Sequence, residues 1–116
     1  MDINSALILF DALSQETRLK VIRLLVKAGS DGFSAGTLSE KLDVPHNTMS
    51  FHLSHLSHAG IVCSKKEGRS MIYVANFKEI QNLIQFLLRD CCNDEMVNLK
   101  KSRKRNCLSV ELKNCC

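Results

Sequence analysis

The stretch from residue 44 to residue 60, VPHNTMSFHLSHLSHAG, constrains the fold more than any other part of the chain. Pro45 suits the first position of a helix, where a backbone N–H has no partner, and Gly60 suits the left-handed conformation that ends one. One side of this helix carries Met49, His52, Leu53 and Leu56 at helical spacing. The other side carries Asn47, Thr48, Phe51, Ser54, His55 and His58. The pattern predicts either an ordinary amphipathic surface helix or a helix whose carboxylate-free side lies against a polyanion.

A shorter helix is predicted immediately before this stretch. The segment AGTLSEKLD begins at Ser34 or Ala35 and directs Leu38 and Leu42 inward. Only a tight connection separates it from the following helix. Two helices joined in this way, the second with a polar face, are typical of a helix-turn-helix.

A β-hairpin is predicted directly after Gly60. Residues 61–64 and 71–74 are β-branched and aromatic runs, and a polar loop with a glycine lies between them. The loop carries Lys65, Lys66 and Arg69, the dense basic cluster of this part of the chain. Such a cluster is either a solvated hairpin tip or, after a helix-turn-helix, a wing that contacts DNA. The second interpretation is favoured here.

Apolar helices are predicted at both ends of this arrangement. Residues 3–13 form a helix that is apolar on most sides, and Ser14 is the expected N-cap of a second helix that ends at Gly29 with Leu19 inward. The last regular helix begins at Phe77 and has a wide apolar stripe. A small monomer offers little surface to cover the first and last helices, so both are predicted to form a homodimer interface.

Length and charge restrict the alternatives further. With 116 residues the chain is long enough for one domain. Residues 1–92 carry ten Lys or Arg and nine Asp or Glu, whereas residues 93–116 carry six and three, so the formal charge of +4 is concentrated at the end. The expected organisation is therefore a folded domain over 1–92 and a loosely ordered basic tail over 93–116. Nucleic-acid binding has to be argued from local residues and not from overall charge.

No targeting segment or membrane span is predicted, since the apolar run near the start is too short and lacks a basic leader. The expected location is the cytoplasm, where thiols stay reduced, and six cysteines there indicate metal, metalloid or redox chemistry. No catalytic motif is present, and the protein is not expected to be an enzyme.

The order of elements and three motifs resemble the ArsR/SmtB family of winged helix-turn-helix repressors. The motifs are LSQETRLKVIRLL, PHNTMSFHLSHLSHAGIV and EGRSMIYV, within a resemblance that covers roughly residues 7–92. The fold class is therefore expected to be mainly α with a β-hairpin wing. Membership implies a homodimer that binds an inverted repeat in double-stranded operator DNA and releases it when a metal or metalloid ion binds. His52 is implied to be a core residue and the other histidines to lie on the DNA side.

Contacts to DNA are predicted from the first half of the recognition helix and from the wing. Asn47 can bond adenine, Phe51 can pack on a thymine methyl group, and His46 can reach phosphate. The lysines and arginine of the wing supply contacts to the backbone or minor groove. The full predicted set is His46, Asn47, Thr48, Ser50, Phe51, Ser54, Lys65, Lys66 and Arg69.

The resemblance does not supply sensing ligands at the positions that many family members use. Residues 33–42 contain no cysteine, and residues 78–89 contain neither histidine nor aspartate. The pair Cys91–Cys92 instead resembles a subgroup of arsenic repressors with C-terminal cysteines. The predicted inducer is therefore trivalent arsenic, as arsenite or an organoarsenical, with antimonite as a further candidate and no resident cofactor required.

Thiolates bind such soft ions well, and inorganic As(III) takes three of them. Cys107 is the preferred third ligand, because 14 residues separate it from Cys92 and the basic residues before it favour its thiolate. Cys115 and Cys116 are the alternates. Rival interpretations are a thiol redox sensor or a Zn/Cd-responsive repressor on the same scaffold, and a metal-sequestering thiol protein that does not bind DNA.

Overall fold

A computed structural model describes residues 1–89 of the chain. Five α-helices, a 3-10 turn and three short strands follow one another in the order helix, helix, strand, two helices, two strands, helix. Their bounds are α1 Ile3–Leu13, α2 Glu16–Ala28, the 3-10 turn Gly29–Asp31, β1 Phe33–Ser34, α3 Ala35–Leu42, α4 His46–Ala59, β2 Val62–Glu67, β3 Ser70–Ala75 and α5 Phe77–Leu88. This is the mainly helical winged helix-turn-helix arrangement that the sequence predicts.

The ends of the first two helices show how local side chains set their bounds. Asp2 caps α1, since its Oδ1 accepts from the Ser5 backbone N–H at 2.8 Å, and hydrogen bonds from the side chain and then from the backbone of Ser5 hold the pKa of Asp2 below its ordinary value. The prediction that Ser14 caps α2 is wrong. Gln15 takes that place with its Oε1 2.8 Å from the Arg18 backbone nitrogen. Ser14 instead ends α1 and donates its hydroxyl to the Asp11 carbonyl at 3.0 Å.

The core lies where α1, α2, α3 and α4 meet the base of the hairpin. Its largest fully buried side chains are Leu9, Leu25, Leu38, Met49, Leu53, Leu56, Ile61 and Val21. They come from nearly every element, so the helix-turn-helix is held on a shared core. Leu19 does not belong to it. Its side chain is 47% exposed, which corrects the prediction that it points inward.

The sheet has three strands in the order β1-β3-β2, and not two as predicted. Strand β1 pairs antiparallel with β3, with Phe33 opposite Tyr73. The turn before β1 requires glycine, because Gly32 has a φ of +65° and a Cβ there would meet the Tyr73 carbonyl oxygen. Two residues of strand have no periodicity of their own, and this explains why the pattern does not predict β1.

Large apolar side chains remain exposed on the helices that were predicted to form a subunit interface. On α1, Ile3 is 61% and Leu7 57% exposed, and Phe77 at the start of α5 is 41% exposed. Met1–Phe86 form one compact unit, and a second begins at Leu87. The predicted domain boundary at residue 92 and the tail over 93–116 lie outside the described residues. Within residues 1–89, no helix is long and apolar enough to cross a membrane.

Candidate nucleic-acid interface

The turn between α3 and α4 fixes the geometry of the helix-turn-helix. Ser34 caps α3 by accepting from the Thr37 backbone N–H at 3.1 Å. Asp43 then takes a left-handed conformation with φ of 54°, and the Val44 N–H donates to the Ser39 carbonyl at 3.0 Å. One residue in this conformation reverses the chain, so α4 begins three residues after Asp43. Pro45 is its N-cap, and not its first helical residue as predicted.

The inner side of α4 is buried as predicted, with Met49, Leu53 and Leu56 at most 1% exposed. His52, also predicted to be inward, is 9% exposed. Its Nδ1 lies 3.3 Å from the Nη1 of Arg18, which is itself buried on α2. An arginine can only donate, so His52 is the acceptor and is neutral. Burial, then the charge of Arg18, then His55 lower the pKa of His52, which favours that state.

Arg18 also holds the end of α1. Its Nε donates to the Ala12 carbonyl at 2.6 Å, one of the last carbonyls of α1, which lack a partner within the helix. One guanidinium thus joins α1, α2 and α4. Arg18 is not among the residues predicted from the sequence, although it precedes the buried Ile22 and Leu25 by four and seven residues and so shares their face.

The outer side of the first half of α4 is open to solvent. Phe51 is 65% exposed, a large fraction for a phenylalanine in a folded domain. The predicted DNA-contacting residues of α4 are all exposed: His46, Asn47, Thr48, Ser50, Phe51 and Ser54. The first turn holds no acidic residue and its N-cap Pro45 makes no capping bond, although the Asn47 Oδ1 accepts from the Thr48 backbone N–H. This surface therefore combines free backbone N–H groups, hydroxyls, an amide and an aromatic ring, all suited to contacts with a polyanion.

The hairpin holds the predicted wing cations in a different arrangement from the expected loop. Strands β2 and β3 are longer than predicted and pair from Val62 opposite Ala75 to Glu67 opposite Ser70. Lys65 and Lys66 therefore lie within β2, on opposite faces of the strand, and only Gly68 and Arg69 form the turn. They do not form one cluster at a loop tip.

Lys65 has partners within the protein. Its Nζ donates to the Ser30 carbonyl at 3.1 Å and lies 3.5 Å from a carboxylate oxygen of Glu67. Lys66 and Arg69 are exposed. Within residues 1–89, Lys66 and Arg69 make no such contact, so a ligand can bind them without breaking an existing bond.

The second half of α4 contacts α1. His55 is half-buried, and its Nε2 lies 3.3 Å from Oδ2 of Asp11 on α1. His58 bonds its own helix, with Nδ1 2.8 Å from the Ser54 carbonyl oxygen. The expectation that both histidines lie on the DNA side is therefore wrong for His55. The contact joins residues that are 44 positions apart in the chain, so a periodic sequence pattern cannot predict it.

The predicted sensing ligands lie outside the described residues, namely Cys91, Cys92, Cys107, Cys115 and Cys116. The cysteine that the structure describes is Cys63, an exposed free thiol on β2. Among residues 1–89, no three His, Cys, Asp or Glu side chains are already grouped as a metal site.

Comparison with known proteins agrees with this geometry. A family model described as a helix-turn-helix domain matches residues 13–63. The transcriptional activator HlyU of Vibrio cholerae is 31% identical over 94 residues, which cover 79% of this chain and 84% of HlyU. A solved ArsR-like transcriptional regulator from Rhodococcus sp. RHA1 superimposes with a TM-score of 0.68 at 29% identity, covering 89% of this chain and 95% of that one.

A third relative is named as an arsenical resistance operon repressor, ArsR, of Halobacterium salinarum. It is 41% identical over 58 residues, or 50% of this chain and 44% of that protein. These relatives are regulators of transcription and not enzymes. By its helix-turn-helix, its wing and these similarities, the chain belongs to the ArsR/SmtB family of winged helix-turn-helix transcriptional regulators.

Proposed function

We propose that this cytoplasmic protein is a transcriptional repressor that binds operator DNA as a homodimer and is released by trivalent arsenic. The observation that supports DNA binding most directly is the exposed, carboxylate-free side of α4, which is followed by Lys66 and Arg69 on the hairpin. A polyanion with a groove wide enough for a helix matches both features, and the major groove of DNA admits an α-helix.

The proposed contacts follow from the chemistry of each exposed side chain. Asn47 offers a bidentate amide to adenine, although its Oδ1 now accepts from the Thr48 N–H at 2.9 Å and would exchange that bond for one to the base. Phe51 packs on a thymine methyl group. His46, Thr48, Ser50 and Ser54 bond phosphate or base edges. Lys66 and Arg69 contact the backbone beside the groove, with Lys65 joining them after release from Ser30.

The proposed homodimer uses α1 and α5. Ile3, Leu7 and Phe10 leave α1 with an exposed apolar face, and burial of such surface contributes about 25 cal/mol per Å². A two-fold dimer would place the two α4 helices about 34–36 Å apart, the spacing of half-sites in an inverted repeat.

The arsenic response is assigned to Cys91 and Cys92, with Cys107 as the preferred third ligand and Cys115 or Cys116 as its replacement. Soft thiolates select As(III) over hard cations, and the chain carries five cysteines after residue 90. The Halobacterium salinarum relative is named for arsenical resistance, whereas HlyU is named as an activator. The two names therefore agree on regulation of transcription but differ between activation and repression, and only the second names an effector.

A fluorescence anisotropy titration on the promoter DNA of its own gene tests the proposal. We expect the full-length protein to bind this DNA at low salt concentration and to bind it more weakly as the salt concentration rises. Addition of arsenite should dissociate the complex. The double variant Cys91→Ser, Cys92→Ser should bind DNA as tightly as the unmodified protein and should stay bound when arsenite is added. Cys63→Ser is the matched control and should respond like the unmodified protein.

The outcomes separate the rival effectors. Arsenite-induced release that survives both substitutions refutes the assigned ligands. Release by peroxide but not by arsenite favours a redox sensor, release by Zn²⁺ or Cd²⁺ alone favours a metal sensor, and absence of any sequence-selective DNA binding refutes the repressor itself.

A further inference from the structure

The two faces of the β2–β3 hairpin carry different side chains. Residues directly opposite each other in an antiparallel pair project to the same face, and the register is unbroken along both strands. Val62 and Ala75 form one such pair and are buried in the core. Because side chains alternate along a strand, the face that carries this pair continues outward to Lys66 and Met71, which also lie opposite each other.

The two faces also differ in charge. On the core-side face Lys66 is the charged residue, and the other members are Val62, Ser64, Met71, Tyr73 and Ala75. The opposite face carries Glu67, with a carboxylate oxygen 3.5 Å from the Nζ of Lys65. Within residues 1–89, Lys66 makes no hydrogen bond or ion pair. A polyanion therefore meets an unpaired cation on the core-side face and a paired one on the other.

Met71 places an apolar side chain beside this cation. It is 44% exposed. Among residues 1–89, most of the exposed large hydrophobic side chains lie on α1 and α5, the helices of the proposed dimer interface, and the others are Leu19, Phe51 and Met71. Phe51 is assigned to the major groove. Nearly half of the Met71 side chain is thus open to a ligand that Lys66 attracts.

The minor groove of DNA suits a cation and a methionine in this arrangement. It is about 6 Å wide, which admits single side chains, and DNA-binding proteins insert apolar side chains, methionine among them, at its base steps. The Lys66–Met71 pair is the second from the turn of Gly68 and Arg69, so both side chains lie near the tip of the hairpin. A lysine at this position can contact a phosphate at the edge of the groove.

A methionine in the minor groove distinguishes A·T pairs from G·C pairs. A·T pairs present only acceptors there, whereas a G·C pair adds the amino group of guanine as a donor. A thioether is a weak acceptor. Contact with Met71 would remove water from the amino group without supplying an adequate partner, and this cost disfavours G·C.

We propose that Lys66 and Met71 form a minor-groove reading face on the wing, with Lys66 on a phosphate and Met71 against the edges of A·T pairs. The inference rests on the proposed binding to operator DNA. It adds a second source of sequence selectivity, separate from the major-groove contacts of α4, and assigns it to a residue outside the basic cluster.

Base-pair substitution in the promoter DNA of the protein's own gene tests the reading face. Each A·T pair of the bound segment is replaced in turn by G·C and by inosine·C, and fluorescence anisotropy measures the affinity of the full-length protein. Inosine·C has the major-groove edge of G·C but lacks its minor-groove amino group. At the pairs that Met71 reads, G·C should weaken binding by at least about fivefold, and inosine·C should restore it.

Variants then assign this preference to a side chain. Met71→Ala should bind the A·T and G·C versions with equal affinity, whereas Met71→Leu, which keeps an apolar side chain, should retain the preference. Leu19→Ala is the matched control, since Leu19 is similarly exposed but lies on α2, and it should retain the preference. Lys66→Gln should reduce the slope of log affinity against log salt concentration by about one. Should Met71→Ala unfold, Met71→Gln provides the same test, because its amide can accept from the guanine amino group.

A preference that persists in Met71→Ala, or that Leu19→Ala removes equally, would overturn the reading face. The same holds if no base pair recovers with inosine·C, or if Arg69→Gln removes the preference and Met71→Ala does not. Each of these results leaves the repressor itself standing. Failure of the unmodified protein to select this DNA refutes the repressor and the reading face together.

Discussion

The buried Arg18 is predicted to be a major source of stability, and Arg18→Met isolates its polar contribution. The substitution removes the 2.6 Å hydrogen bond from Nε to the Ala12 carbonyl and the 3.3 Å contact with Nδ1 of His52. Methionine keeps an apolar stem of similar length, so little cavity forms. A hydrogen bond from a charged group contributes about 1.5–3 kcal/mol to folding stability. Ala12 is fully buried, so its carbonyl would have no water to replace the lost donor.

We therefore expect Arg18→Met to lower the free energy of unfolding by about 2 kcal/mol. In a domain of this size that corresponds to a fall in melting temperature of about 8–16 °C. Urea unfolding followed by circular dichroism measures it, at one fixed chain concentration so that any dimer contributes equally. Arg23→Met, an exposed arginine on the same helix, is the matched control and should change stability by less than about 0.5 kcal/mol.

A double-mutant cycle with His52→Leu then tests the contact itself. Because the two side chains share one hydrogen bond, the double variant should lose less than the sum of the single losses, by at least about 0.5 kcal/mol. Additive losses would show that Arg18 and His52 act separately. A loss for Arg18→Met no larger than for Arg23→Met would refute the reasoning altogether.

Three further predictions concern pH, the turn before β1 and the recognition helix. Because the pKa of His52 is lowered from 6.5 in the folded chain, its contribution to stability should be complete above pH 6.5 and be lost as pH falls through the folded pKa. The urea concentration at the midpoint of unfolding should therefore fall as the pH is lowered below 6.5, and it should fall less in the His52→Leu variant. Gly32→Ala should destabilise by at least about 1 kcal/mol more than Gly68→Ala in thermal melts. Both glycines have φ above 60°, but only a Cβ at Gly32 meets the Tyr73 carbonyl, so equal losses would contradict this. Phe51→Ala should weaken operator binding by about tenfold, within the 1–3 kcal/mol of a base contact, with an unchanged melting temperature; a lowered melting temperature would mean a structural role.

The elements with strong periodicity or strong end signals could be predicted from the sequence. Residues 3–13 form α1 as expected, Gly29 and Gly60 end α2 and α4, and Phe77 begins α5. What the sequence does not show are contacts made across the fold. Strand β1 exists only because β3 offers it a partner, and the extension of β2 over Lys65 and Lys66 depends on pairing with β3.

The candidate DNA surface follows the same division. Exposure of the first half of α4 could be predicted, because hydrophobic residues at helical spacing fix the opposite side. The contact of His55 with α1 could not be predicted, since its partner Asp11 lies on a different helix. The sequence also does not show that Gln15 and not Ser14 caps α2, because both residues can cap a helix and the geometry of the preceding turn decides between them.

The two halves of α4 have different mechanical roles, and this matters for how such a regulator can be controlled. Within residues 1–89, the outer side chains of the first half make no hydrogen bond or ion pair to another element, so the proposed contacts with DNA would cost little reorganisation of the protein. The second half is joined to α1 through His55 and Asp11, and its centre is joined to α1 and α2 through His52, Arg18 and Ala12. A shift of α1 relative to α4 would therefore either break these contacts or carry α4 with it. In the proposed homodimer, these polar contacts would link an interface on α1 to the proposed DNA surface of α4.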